Sequence, residues 1–105
     1  KTNLKKIIIK KSMGWCDDVK NKSYNKLIKV TKKGKYEKLF RKDYKYDLLI
    51  PIKYNFKKVI PYKGSAIFIH LTKNYQPTAG CIALSKKDLK CLLSIIDNKT
   101  FIKIL

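Results

Sequence analysis

Histidine occurs once in this 105-residue chain, at position 70, and arginine once, at position 41. A single histidine and the lack of any C-x2-C pair leave little for a zinc site. The one set available is Cys16, Cys81, Cys91 and His70, and no knuckle spacing holds two of them together. No metal and no cofactor is therefore expected. The scarcity of arginine argues against base or phosphate recognition through the bidentate guanidinium fork. No apolar run approaches the roughly 18 residues of a membrane span, since the densest stretches (7–9, 66–69 and 92–96) are short or interrupted. The sequence opens on Lys1 with no secretory pattern, so a mature form or a fragment is expected. Three cysteines cannot all pair internally, so at least one is free, binds metal or reacts.

What the chain has in excess is positive charge. Lysine and arginine number 26 against 7 acidic residues, a formal charge of +19. A magnitude of about 2–8 is usual for a small soluble domain, so the excess favours contact with a polyanion such as nucleic acid or an anionic cell envelope. The lysines are spread along the whole sequence, as on a solvated basic surface, so any such contact is expected to be non-specific. The length bounds the chain to one domain, residues 1–105, with a modest core.

Pattern along the chain predicts a mostly β domain. Residues 4–10 (LKKIIIK) read as a strand and 12–14 as a turn. The segment GWCDDVKNKSYN holds no period and reads as a loop anchored by Trp15. Strands are expected at 26–30 and 46–55, the latter confined by Pro51 to an edge or bulge, with a turn around Gly34 between them. The basic and aromatic stretch 33–46 reads as solvated surface, with envelope contact second and a nucleic-acid platform third. Residues 64–70 (GSAIFIH) read as a buried strand with Ala66, Phe68 and His70 on one face and Ile67 and Ile69 on the other. A helix over about 86–96 is predicted from Ser85 and Asp88 as a capping box and an apolar face of Leu89, Leu92, Leu93 and Ile96. Residues 100–105 close the chain as a strand.

His70 at the end of a buried strand and Cys81 after Gly80 supply the parts of an acyl-transfer site. An imidazole can take the proton of a thiol, and backbone N–H groups at Gly80 and Cys81 can point at a developing oxyanion. The same residues also fit a structural reading, because a strand-end histidine is commonly hydrogen-bonded and cysteine is commonly buried. Cys16 is expected to be buried and Cys91 to lie at the edge of the helix's apolar face. A disulfide between them stays open.

The string GSAIFIHL...PTAGCIALSKKDLKCLL resembles the catalytic segment of the L,D-transpeptidase (YkuD-like) family, in which a strand histidine precedes a Ser/Thr-x-Gly-Cys motif. The resemblance extends through MGWCDD, the YN pairs at 24–25 and 54–55 and YDLLI, so it covers about residues 13–105. It implies a mainly β, sandwich-like L,D-transpeptidase catalytic fold acting on peptidoglycan stem peptides. Cys81 is then the nucleophile that forms a thioester, His70 its base, and Gly80 and Cys81 the oxyanion donors. Thr78 matches the Ser/Thr of the motif, and the Leu71 carbonyl is expected to orient the imidazole. An amine acceptor and a periplasmic or cell-envelope location are implied as well.

Three features depart from the family pattern. Ala79 stands where a histidine is usual, Ala83 stands where an arginine is frequent, and the loop from His70 to Cys81 is short. Both alanines remove polar groups that grip a substrate. Nothing in residues 1–12 matches the Gly-rich N-terminal segment of relatives, so either a truncated chain or a reduced version of the domain is expected. Trp15 and Asp17, in the shared GWCDD box, are candidate substrate-facing residues beside Thr78 and Ala79. The expected function is a cysteine-dependent acyl transferase. The alternatives are a carboxypeptidase-like hydrolase using the same thioester, or a catalytically idle basic domain that binds peptidoglycan or nucleic acid.

Overall fold

A computed structural model describes residues 2–30, 35–73 and 81–103. Its described elements are β1 (Met13–Cys16), β2 (Leu27–Lys29), β3 (Tyr36–Lys38), β4 (Leu49–Pro51), β5 (Phe68–Leu71), β6 (Ile82–Leu84) and α1 (Lys86–Ile95). They form two three-stranded sheets, ordered β2-β1-β3 and β4-β5-β6, and the fold is mainly β with one helix, as the sequence predicts.

In the first sheet β1 runs antiparallel to both neighbours. Gly14 sits at its centre because the strands crowd there: a Cβ at this position would lie 2.9 Å from Val30 Cγ2 and 3.0 Å from Tyr36 Cδ2. The segment expected to be a turn and a loop is thus the central strand. Glycine and tryptophan in place of an alternating β-branched run conceal it from pattern reading.

In the second sheet β5 lies between antiparallel β4 and parallel β6. Pro51, which cannot donate to a ladder, ends the edge strand β4, as expected. All four residues of β5 are buried. Strand alternation sends Phe68 toward Trp15, Leu39 and Tyr46, and Ile69 and Leu71 toward Leu89 of α1. The predicted two faces of this strand are therefore both present, one packed against the first sheet and one against the helix.

Ser85 caps α1 by accepting from the Asp88 N–H at 3.2 Å, and the fully buried Leu89 anchors the helix to β5. Leu92 and Leu93 pack beside it. This burial explains a helix of only ten residues, too short to persist alone.

Other expectations give way to tertiary pairing. Residues 4–10 form no strand, and Ile7 and Ile8 are exposed, because no neighbouring edge receives them. Residues 100–103 are likewise irregular, with Phe101 exposed. The strands predicted over 46–55 and 64–70 contract to β4 and β5. The turn around Gly34 lies outside the described residues.

Candidate functional site

The site is built on β5. Register sets His70 against Ala83 and Ile69 against Ile82. Counting back one step brings Cys81 level with Phe68, and the Phe68 N–H does bond to the sulfur. His70 and Cys81 therefore occupy adjoining chains, two positions apart, on one face of the sheet. With strands about 4.8 Å apart and a rise of about 3.3 Å per residue, such diagonal neighbours lie about 8 Å apart at the backbone.

His70 is 7% exposed, and its Nδ1 lies 2.9 Å from the Leu71 carbonyl oxygen. A carbonyl can only accept, so this nitrogen carries a proton, and in the neutral imidazole the lone pair falls on Nε2. The imidazole is thus held in the tautomer that can take a proton from a nucleophile. The Leu71 carbonyl stands where the resemblance puts it.

Cys81 is half-buried, and its thiol donates to the Ala66 carbonyl at 3.3 Å. Burial pushes the thiol up from its ordinary value, the bond from the Phe68 N–H works the other way, and the Glu37 carboxylate adds to the upward push. Burial and the Glu37 charge therefore favour the neutral thiol over the thiolate.

Ala66 adopts φ 55°, in the left-handed region. For alanine this conformation costs about 1–2 kcal/mol, and a buried side chain compensates it. Asn25, itself at φ 59°, accepts from the Ala66 N–H at 3.2 Å and from Trp15 Nε1 at 2.9 Å. Its Nδ2 donates to the carbonyls of Tyr54 and Asn55, each at 2.8 Å. One amide thereby ties β1, the 54–55 turn and the approach to β5 together. Asn55, at φ 52°, repeats the device locally by donating to the Ile60 and Gly64 carbonyls.

The other candidates distribute as follows. Trp15 is buried, with its N–H satisfied by Asn25 and its ring edge-on to Phe68 at 5.2 Å. Asp17 is exposed and accepts from the Ser65 hydroxyl. Thr78, Ala79 and Gly80 lie outside the described residues. Cys16 is buried as expected, while Cys91 is exposed rather than at a boundary, and all three cysteines are free thiols, which excludes the Cys16–Cys91 pairing here. Among the described residues no group of three or more histidine, cysteine or acidic side chains is arranged to hold a metal.

Sequence reasoning missed Tyr46 and Glu37. Tyr46 is buried, not solvated, with its ring edge-on to His70 at 5.6 Å and to Phe68 at 5.8 Å, and its hydroxyl donates to Glu37 Oε2 at 2.7 Å. The signal available was rarity: the only glutamate and the only arginine of a lysine-rich chain both fall within 37–46.

The described structure is thus a mainly β domain that brings one histidine and one cysteine to one face of a sheet, with the histidine's Nδ1 on the next carbonyl. Residues 9–104 match the YkuD family, the L,D-transpeptidase catalytic domain, and the chain belongs to that family. Searches of curated proteins and of solved structures each returned no match.

Proposed function

We propose that the chain is an L,D-transpeptidase of the cell envelope that works on peptidoglycan stem peptides through a thioester at Cys81. The observation that carries this reading is the bond between His70 Nδ1 and the Leu71 carbonyl, which leaves Nε2 as the basic nitrogen on the face that Cys81 shares.

In the first half-reaction His70 Nε2 takes the thiol proton as the sulfur attacks the donor carbonyl. The C–N bond then breaks, the proton passes to the departing D-Ala amine, and the acyl group stays on sulfur as a thioester. In the second, an acceptor amine attacks the thioester, gives a proton to His70, and the proton returns to the sulfur. The elevated thiol supports general-base catalysis over a standing thiolate, because little thiolate exists at neutral pH without the imidazole. Backbone N–H groups at Gly80 and Cys81 complete the proposal as oxyanion donors, and Thr78 and Ala79 border the donor peptide. Trp15 and Asp17 act one step further out: the geometry supports them as the scaffold behind Phe68 and Ser65 more than as substrate contacts. The domain spans residues 1–105, and its basic surface favours contact with an anionic envelope.

The test is incubation of a disaccharide-tetrapeptide with the protein and an isotope-labelled D-amino acid, followed by mass spectrometry. Exchange of the terminal D-Ala for the label, absent in Cys81→Ala, is the expected result. Shortening without label would assign a hydrolase with the same nucleophile. An unchanged peptide would contradict catalysis and favour an idle peptidoglycan-binding domain.

A further inference from the structure

The Leu71 carbonyl meets one nitrogen of His70. Among the described residues no other hydrogen bond holds the ring, so a swing about that contact would carry Nε2 away from the nucleophile. The described side chain whose ring lies against the imidazole is Tyr46, with centroids 5.6 Å apart and planes at 64°.

Tyr46 is itself braced from three sides. Its hydroxyl donates to Glu37 on β3, its ring meets Phe68 at 87°, and the Arg41 guanidinium sits 5.0 Å over its face. Arg41 is fixed in turn by a fork onto Asp43, with Nε to Oδ1 at 2.9 Å and Nη2 to Oδ2 at 2.6 Å. Such a network reduces the rotamer freedom of each member and transfers the rigidity of β3 to the imidazole.

We propose that Tyr46 is a positioning residue for His70, its braced ring edge holding the imidazole in the orientation that serves Cys81. The role rests on the reading of Cys81 as nucleophile and His70 as base. Tyr46 is not an acid or base in the reaction, since its proton is committed to Glu37. Burial first, and then Glu37, push phenol ionisation far above the ordinary range, so the group stays a neutral donor. Glu37 has a separate influence through space, because its charge disfavours the Cys81 thiolate.

The test is alkylation of Cys81 by iodoacetamide at near-neutral pH, followed by peptide mass mapping in a Cys91→Ser background, which needs no peptidoglycan substrate. Tyr46→Leu is expected to slow alkylation by about tenfold or more, up to the roughly hundredfold that a 1 Å misplacement of a catalytic group can cost. It should add nothing in His70→Ala, and Tyr46→Phe, which keeps the ring and loses only the Glu37 brace, should slow alkylation no more than a few fold. Equal slowing with and without His70 would show a merely structural role and overturn the proposal, as would a parent-like Tyr46→Leu. If Tyr46→Leu does not fold, Arg41→Gln withdraws one brace, and a His70-dependent slowing of a few fold is expected, with no slowing counting against the proposal. A His70→Ala rate equal to that of the parent would overturn the base assignment itself, an outcome distinct from the failure of Tyr46 alone.

Discussion

Asn25 carries more of this fold than any catalytic candidate does. Asn25→Ala strands the Trp15 indole N–H, the Ala66 N–H and two carbonyls, each worth about 1–3 kcal/mol when buried without a partner. It also puts alanine at φ 59°. A loss of at least about 3 kcal/mol is expected in urea unfolding, while Asn25→Asp, which keeps the acceptor and tolerates that backbone, should lose less. Two charge effects can be read at the same scale. In His70→Ala, alkylation of Cys81 should follow the thiol alone, with a midpoint above the ordinary 9.0, and Glu37→Gln should move that midpoint down. The Asp43 carboxyl is held at about 2 by its bond from Arg41, against an ordinary 3.8. A depressed carboxyl stabilises above its unfolded value, so this contribution should be complete above about pH 4 and fade as pH falls toward about 2. Carboxylate titration by NMR should give that midpoint, and Asp43→Asn should remove this contribution from the acid limb of stability against pH.

Elements here are short, and packing decides which of them form. Leu89→Ala removes the fully buried anchor of α1 and should cost about 2–5 kcal/mol, whereas Ser85→Ala, which removes the helix cap, should cost about 1 kcal/mol. Thermal or urea unfolding distinguishes the two. The same contrast explains what pattern reading could see. α1 was legible because its cap and apolar stripe are local, and β5 because both of its faces are apolar. β1 was not, since its place depends on Gly14 admitting Val30, just past β2, and Tyr36 of β3. β6 is three residues long and runs almost directly into the helix. Residues 4–10 have strong strand propensity and no edge to pair with, so propensity misled there. The contact between His70 and the Leu71 carbonyl was legible through the family motif, which also singled out Cys81 as a candidate. Tyr46 was not, because its burial comes from Trp15, Phe68 and Glu37 converging from β1, β5 and β3.

At the scale of the whole molecule, +19 charges on 105 residues repel one another in the folded state. The Debye length shrinks to about 10 Å at 0.1 M salt, so the urea midpoint should rise as salt is added from low ionic strength. Binding to a polyanion such as heparin should weaken steeply over the same range. No described helix is long and apolar enough to cross a membrane. The β5 layer, packed against the first sheet on one side and α1 on the other, gives the histidine and cysteine a rigid platform in this small domain. The most direct check on its use is intact-protein mass spectrometry after mixing with disaccharide-tetrapeptide and quenching in acid. The account predicts an adduct of the donor less its terminal D-Ala, localised to Cys81, missing in Cys81→Ser and slow to form in His70→Ala. An adduct at another residue, or turnover that survives Cys81→Ser, would contradict it.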